Sequence, residues 1–559
     1  MYENRSKGQD APSARRSQGQ SFSKPLPQAI MEIDKDIARL LARRAKLLNK
    51  ANHGRRGTDP ALEKQLRQSW EANAVELSRD PRFIRQFFTL LQEVEANTQE
   101  ADAPRTGFHL APARRPLEVN MKGPSASRLT RLWLTLAAGT GRNVTINSAL
   151  VNDPFNDLLK ALNQCGGVLA WNETTGCYCK SESKLDFTDK VVYIGEDTLN
   201  LYMLIFLAMS SNSRLKLMGG TDLKFLDLVP LAHFLPQLGA RLTNVVPGTK
   251  GLPVRIECSG VYSDALTIPA DLPADAVTAL ILAATTWDKP VSLALQDSPA
   301  GIACLDEILP ILQRAGANVD LDGTTLRIVP NKDAMPETFT PDMVAMHVDT
   351  LLATSLLAFP AFAGGKVSMT GTWPKTAEGD AALALLKAGG LRVNISAGVI
   401  ESEYATAASA DYNAILSTLP ATYAPIALTF AAASVAANAD ARVAMPQMPA
   451  SIATTVAEDF LAQIGLEPLG LEGEVPALRP TKTPIAAGGW ASPAPEWSMA
   501  LAMASFLRSG LRIANPGNMT ALMPNFWHFF NGLPSPNLAP KPKEETSNDK
   551  PNRRRIIAG

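Results

Sequence analysis

Five cysteines and five histidines are the side chains of this 559-residue chain best suited to nucleophilic or metal chemistry. Their spacing supports neither. Cys177 and Cys179 are too close for an ordinary zinc half-site, and no His stands near them. Cys165, Cys258 and Cys304 stand apart, so reduced structural thiols are expected. His53, His109, His233, His347 and His528 show no ligand spacing, which predicts no metal and no cofactor held by one. Glycine-rich phosphate loops of the Walker or dinucleotide type are absent from the sequence. What remains is charge. Asp59 and Glu63, four apart, share one helix face. Asp349 precedes a helix-forming Thr-Leu-Leu-Ala-Thr run and is expected as an N-cap.

The elements that position these groups fall into two patterns. Residues 1–24, rich in Ser, Gln, Lys and Arg, read as disordered. From 25 to about 100 the periodicity is helical, with Ile30, Ile33, Ile37, Leu40, Leu41 and Leu47 on one stripe. A second helix starts at Asp59-Pro60, an N-cap followed by a first-turn proline, and a third follows Asp80-Pro81. Three helices bury too little alone, so pairing with a second copy is expected. Residues 101–116 read as a Pro/Arg/Ala linker, and 534–559 as a disordered basic tail. Between them, 117–533 repeats an apolar helix, a glycine and a strand-like run. The glycines at 166, 239, 316, 389 and 465 lie 73, 77, 73 and 76 residues apart. That period is a whole α/β subdomain, not a solenoid unit. A sixth helix, Asn525–Asn531, closes the series, and its aromatic residues are expected in the core.

Charge separates the same regions. Residues 1–115 carry 21 Lys+Arg against 14 Asp+Glu, whereas 116–535 carry 27 against 37. The acidic middle disfavours nucleic acid as a partner. The longest apolar stretch, about 199–209, is short of the ~20 residues of a membrane span, and the first ten residues lack an apolar signal. A cytoplasmic protein is the expectation.

The run Ile33-Asp34-Lys35-Asp36-Ile37…Leu40-Leu41-Ala42-Arg43-Arg44 resembles the opening of the all-helical chorismate mutase family, over about residues 27–100. That resemblance implies a homodimer, formed through these helices, that rearranges chorismate to prephenate. The substrate's two carboxylates and its ether oxygen need cations and donors. By the resemblance, Arg44 binds a carboxylate, and Arg55 contacts a carboxylate and the ether oxygen. Asp59 and Glu63 meet the substrate hydroxyl and adjoining backbone, and Gln99 donates to the ether oxygen. One cation of the family is missing, because Pro27 stands at its position. Without the resemblance, Arg44, Asp59 and Glu63 read as ordinary exposed helix charges in a dimerisation unit.

The repeat region resembles 3-phosphoshikimate 1-carboxyvinyltransferase, EPSP synthase, through Val119–Ser127, Arg131, Gly219-Gly220, Phe234–Ala240, Ala276–Leu282 and Met499–Trp527. The resemblance implies two lobes, each of three βαβαββ units, with substrates clamped between them. Shikimate 3-phosphate and phosphoenolpyruvate bring roughly four to five negative charges into that cleft. Most cations that would receive them are replaced. A lysine becomes Ser125 or Ala126, an arginine becomes Asp222, and a Ser-Ser-Gln becomes Pro273-Ala274-Asp275. The phosphoenolpyruvate loop reads Glu196-Asp197-Thr198, the catalytic aspartate Pro425, and a late arginine and lysine Ser498 and Ala521. Ser127 and Arg131 are retained as a vestigial transferase site. The expectation is therefore a mutase joined to a two-lobed body that has lost catalysis and serves regulation or assembly with pathway enzymes. A divergent carboxyvinyltransferase and a wholly non-catalytic scaffold are the alternatives.

Overall fold

In the computed structural model, residues 26–51, 60–74, 84, 87–88, 91 and 107–536 are described, apart from 173–175, 262, 406–411, 438–442, 450–451, 471–475, 482–484 and 486–487. The chain divides into two compact units, 1–105 and 106–559.

In the first unit, helix α1 spans Leu26–Ala51 and α2 spans Pro60–Asn73. Leu48, Ala74, Ile84, Phe88 and Leu91 are buried. Trp70 stacks on Phe87 with centroids 5.4 Å apart, and its indole donates to the Ile84 carbonyl at 3.2 Å. The stripe of α1 read from the sequence is only partly covered: Ile30, Ile33, Ile37, Leu40 and Leu47 remain 48–62% exposed.

The second unit has two hydrophobic cores, one drawn from residues 126–344 and the other from 110–121 and 348–533. Each core belongs to a lobe. Three four-stranded sheets cover the first lobe. Each begins with a parallel pair and adds antiparallel strands, as in Lys190–Tyr193 beside Ser213–Met218, Val254–Cys258 and Ala240–Asn244. Inside run α3 (Ser127–Thr140), α5 (Thr198–Leu207) and α6 (Ala274–Ala284), with α4 (Asp153–Gln164) packed beside them. Helices α5 and α6 are apolar on all sides, so only a core can hold them. In the second lobe the corresponding helices are α7 (Thr350–Leu357), α8 (Ala424–Ala437) and α9 (Pro495–Ala504).

The repeats are thus seen as folded units, except that the sixth is reduced. Among the described residues, its sheet has the two strands Phe108–His109 and Arg512–Ile513. The first of these lies within the segment expected as a linker, and the following Leu110 is buried. The recurring glycine has a backbone cause. Gly239 and Gly465 close their helices with φ of 72° and 83°, a left-handed conformation that costs glycine nothing. In the fourth repeat Gly390 takes that role with φ 85°, not Gly389.

The chain passes between lobes twice. Strand Leu117–Lys122 belongs to the second lobe, paired with Gly365–Thr370, and the chain then enters α3 of the first. It returns at 345–348. The two crossings lie side by side, with Asp349 N–H donating to the Pro124 carbonyl at 2.7 Å and Ala126 N–H to the His347 carbonyl at 3.0 Å.

Candidate functional site: the mouth of the first lobe and its opposite face

The amino ends of α3, α5 and α6 meet in one hydrogen-bonded cluster. Arg131, in the second turn of α3, donates through Nη1 to Asp197 Oδ1 at 2.6 Å and to Asn200 Oδ1 at 2.8 Å. Asp197 is also the N-cap of α5, accepting from the Asn200 amide at 2.9 Å. Arg128, one turn from Arg131, reaches Asp275 with Nη1 at 2.6 Å and Glu307 with Nε at 2.8 Å. Asp275 lies in the first turn of α6 and accepts the Thr198 hydroxyl with its second oxygen. Two guanidinium groups are therefore held by three carboxylates, all supplied by the chain.

The titration behaviour follows from that pairing. Burial pulls the Arg128 pKa down, but the charges of Glu307 and Asp275 outweigh it and raise it. Burial raises Asp275, and Arg128 with the Thr198 hydroxyl outweighs it, holding the carboxyl below its usual range. Arg131 is 7% exposed and its Nε has no partner.

Glu196, next in the chain to Asp197, turns to the short helix Thr221–Phe225. Its two carboxylate oxygens accept the amides of Thr221 and Asp222 at 2.9 and 2.8 Å. A side chain thus takes the donors that an external anion would use.

On the second lobe, Asp349 caps α7, accepting from the Leu352 amide at 3.0 Å as the sequence predicts. Burial pushes its carboxyl up, and Glu378 pushes the same way, against His347 and Arg131. Tyr423 donates its phenol to Glu378 at 2.7 Å. Glu496, in the first turn of α9, is raised by burial. Ser498 donates to Asn518 at 3.0 Å. Acids stand at the amino ends of α5, α6, α7 and α9.

Residues 113–445 match the family EPSP synthase (3-phosphoshikimate 1-carboxyvinyltransferase). The chain belongs to the EPSP synthase family. A 3-phosphoshikimate 1-carboxyvinyltransferase 2 from Halalkalibacterium halodurans is 23% identical over 295 residues, covering 50% of this chain and 63% of that protein. A 3-phosphoshikimate 1-carboxyvinyltransferase from Bordetella petrii is 24% identical over 432 residues, covering 74% and 94%. The chain spans 63% of the length of the first curated relatives it matches. An EPSP synthase structure from Acinetobacter baumannii superposes with a TM-score of 0.54 at 14% identity, over 76% of this chain and 96% of that one. The enolpyruvyl transferase NikO from Streptomyces tendae gives 0.53 at 12%, over 74% and 94%. These likenesses establish the fold.

Within this EPSP synthase fold, Ser127 and Arg131 are used internally. Arg131 is held by Asp197, and Ser127 donates to Asn152 Oδ1 at 2.9 Å. Arg128 escaped sequence reasoning because its partners lie 147 and 179 residues away. Its helical spacing from Arg131, three residues, was the available signal. All five cysteines are buried free thiols, and among the described residues no group of three His, Cys, Asp or Glu could hold a metal ion. No described helix is long and apolar enough to cross a membrane. The aromatic cluster packs as expected, with Phe526, Phe529 and Phe530 buried.

Of the helical unit's candidates, Arg44 is described. It lies 6.0 Å from the Phe88 ring centroid, with Arg67 5.9 Å from the same centroid. Burial lowers the Arg44 pKa. Arg55, Asp59, Gln99 and the Glu63 side chain lie outside the described residues.

Proposed function

We propose that the two-lobed unit does not transfer enolpyruvyl groups between phosphorylated acids. It serves as a regulatory or scaffolding body within aromatic amino-acid biosynthesis. The observation that supports this reading is the pairing of Arg128 with Asp275 and Glu307 and of Arg131 with Asp197. Two phosphorylated acids entering there would meet three carboxylates around two cations, and would lose hydration without compensation. Calorimetric titration with shikimate 3-phosphate tests it: no binding at micromolar concentrations is expected, and micromolar binding would overturn it.

In the same proposal the N-terminal helices form a chorismate mutase that acts as a cytoplasmic homodimer. Arg44 and Arg55 hold carboxylates, Gln99 donates to the ether oxygen, and Asp59 and Glu63 meet the hydroxyl. The reaction needs no cofactor. Its transition state would be stabilised by fixed charge alone. Loss of the chorismate diene absorbance above the spontaneous rate is the expected result, and Arg55→Ala should abolish it.

A divergent carboxyvinyltransferase is the second reading. It is favoured by family membership and by the retention of Ser127 and Arg131. Formation of inorganic phosphate from phosphoenolpyruvate and a shikimate-type acceptor would decide for it.

A further inference from the structure

One sheet of the first lobe carries charge that the fold does not balance. In the sheet of Lys190–Tyr193, Ser213–Met218, Val254–Cys258 and Ala240–Asn244, the inward side chains Val192, Leu215, Leu217, Val254 and Ile256 are buried. Alternation along the strands therefore turns Lys216, Arg255 and Arg241 to the outside. Lys216 lies directly opposite Arg255 across an antiparallel pair. Like charges so placed repel, with Cβ atoms roughly 4.5–5.5 Å apart. Every other directly opposed pair of Lys, Arg, Asp or Glu in the described strands joins opposite signs. Asp320 faces Arg327, Lys366 and Arg392 both face Glu403, and Glu467 faces Arg479. On the basic sheet itself, Arg214 and Arg241 face Glu257, whose carboxylate lies 3.6 Å from Arg214. Lys216, Arg241 and Arg255 have no ion-pair partner among the described residues. An apolar margin runs beside them. Val191 on the edge strand neighbours Lys216, and Tyr193 neighbours Met218. These three apolar side chains are 60%, 51% and 42% exposed.

Folding gains nothing from opposing two cations, so the charge that answers them comes from another molecule. The chain's own termini have the wrong sign: residues 1–24 carry five Lys+Arg against two Asp+Glu, and 537–559 carry six against three. A long polyanion is disfavoured as well, because 116–535 carry 27 Lys+Arg against 37 Asp+Glu. A short acidic segment meets mainly the local cations, since screening limits the reach of the remaining charge to about 8 Å. Four strands spaced by ~4.8 Å make a face about 15 Å wide. That width suits a segment of a few residues, not a domain-sized interface of about 800 Å² per partner. We propose that this face docks an acidic segment of a partner protein. Its carboxylates lie over Lys216, Arg255 and Arg241, and an apolar side chain covers Val191, Tyr193 and Met218. The face uses none of the residues around Arg128 and Arg131. It therefore stands whether or not the cleft transfers enolpyruvyl groups.

Fluorescence anisotropy of a labelled peptide, Phe-Asp-Glu-Asp-Glu-Phe, titrated with the full chain tests this. Binding at micromolar concentrations is expected, and it should weaken between about 50 and 300 mM salt. Lys216→Glu combined with Arg255→Glu should weaken it by about tenfold or more. That double variant should instead bind the charge-reversed peptide Phe-Lys-Arg-Lys-Arg-Phe, which the parent protein should not. Lys375→Glu, at an exposed cation of the second lobe, should leave binding of the acidic peptide unchanged. Lys216→Glu alone separates partner from fold. It sets opposite charges face to face, so the melting temperature should rise while peptide binding falls. A lower melting temperature would mean that Lys216 serves the fold, and would overturn the proposal. So would a parent protein that ignores the acidic peptide up to millimolar concentration, or a double variant that binds it equally well. Tighter binding of phosphatidylglycerol vesicles or single-stranded DNA than of the peptide would overturn it by assigning the face to a different polyanion. Self-association that the double variant abolishes would overturn it by giving the face to a second copy.

Discussion

At the scale of single residues, two aspartates of the cleft titrate with opposite sign. Asp275 is held below the usual carboxylate range by Arg128. Its stabilisation is therefore fully present above its unfolded pKa, about 3.9, and is lost as pH falls through the lower folded value. Asp275→Asn should cost about 1–3 kcal/mol at pH 7, because Arg128 loses a charged partner and keeps only Glu307. It should also flatten the acid limb of stability, measured by denaturant titration from pH 3 to 7. Asp349 behaves in reverse, since burial raises its carboxyl. Its stabilisation is complete below about pH 3.9 and is lost as pH rises through the higher folded value. Asparagine caps a helix as well as aspartate does. Asp349→Asn should therefore raise stability at pH 7, because it keeps the cap and removes the buried charge. Asp349→Ala, which loses the cap, should lower it, by up to about 0.5–2 kcal/mol. A decline for both substitutions would show that the Asp349 charge is needed.

At the scale of elements, Glu196 ties the end of strand Lys190–Tyr193 to the helix Thr221–Phe225 by taking two of its amides. Glu196→Ala should cost about 0.5–2 kcal/mol and speed hydrogen exchange at Thr221 and Asp222. Gly220 is where the carboxylate packs, so a Cβ there would displace it. Gly220→Ala should then reproduce the Glu196→Ala exchange pattern, and the double variant should be little worse than either single change. Additive losses would mean that the carboxylate and the glycine act separately. The same elements mark what the sequence could reveal. The alternating runs 214–218, 325–329 and 366–370 fall within the strands Ser213–Met218, Thr325–Val329 and Gly365–Thr370. Phe108–His109 carries no period, because it is two residues long and its partner strand lies some 400 residues away. Arg128 was invisible for a related reason. Alignment to a family shows which cations are lost at known positions, but it says nothing of a cation paired with acids from other repeats. The acids at 196, 197 and 275 were legible as substitutions, and their role as internal partners of helix ends and guanidinium groups emerges only once the repeats are folded together.

At the scale of the molecule, α1 presents an unfinished surface. Leu26, Ile30, Ile33, Ile37, Leu40 and Leu47 are each 48–79% exposed. Their spacing alternates between four and three residues, and Arg44 falls in the same series. A strict alternation of that kind is the seam by which one helix packs along another. Burying one such side chain fully is worth about 1.5–3 kcal/mol. Six per protomer, twelve in a pair, offer a gain of the same order as the roughly 4–15 kcal/mol lost in association. The proposed mutase depends on this pairing, because the resemblance implies a homodimer formed through these helices. Ile37→Asp puts a charge mid-seam, where burial without a partner is costly. Sedimentation of the full chain at micromolar concentration should give a dimer, and Ile37→Asp a monomer with the same far-ultraviolet dichroism in the two-lobed unit. Chorismate turnover should vanish with the dimer. A variant that remains dimeric would move the association to another surface. A monomer that still turns over chorismate would place the whole site within one subunit.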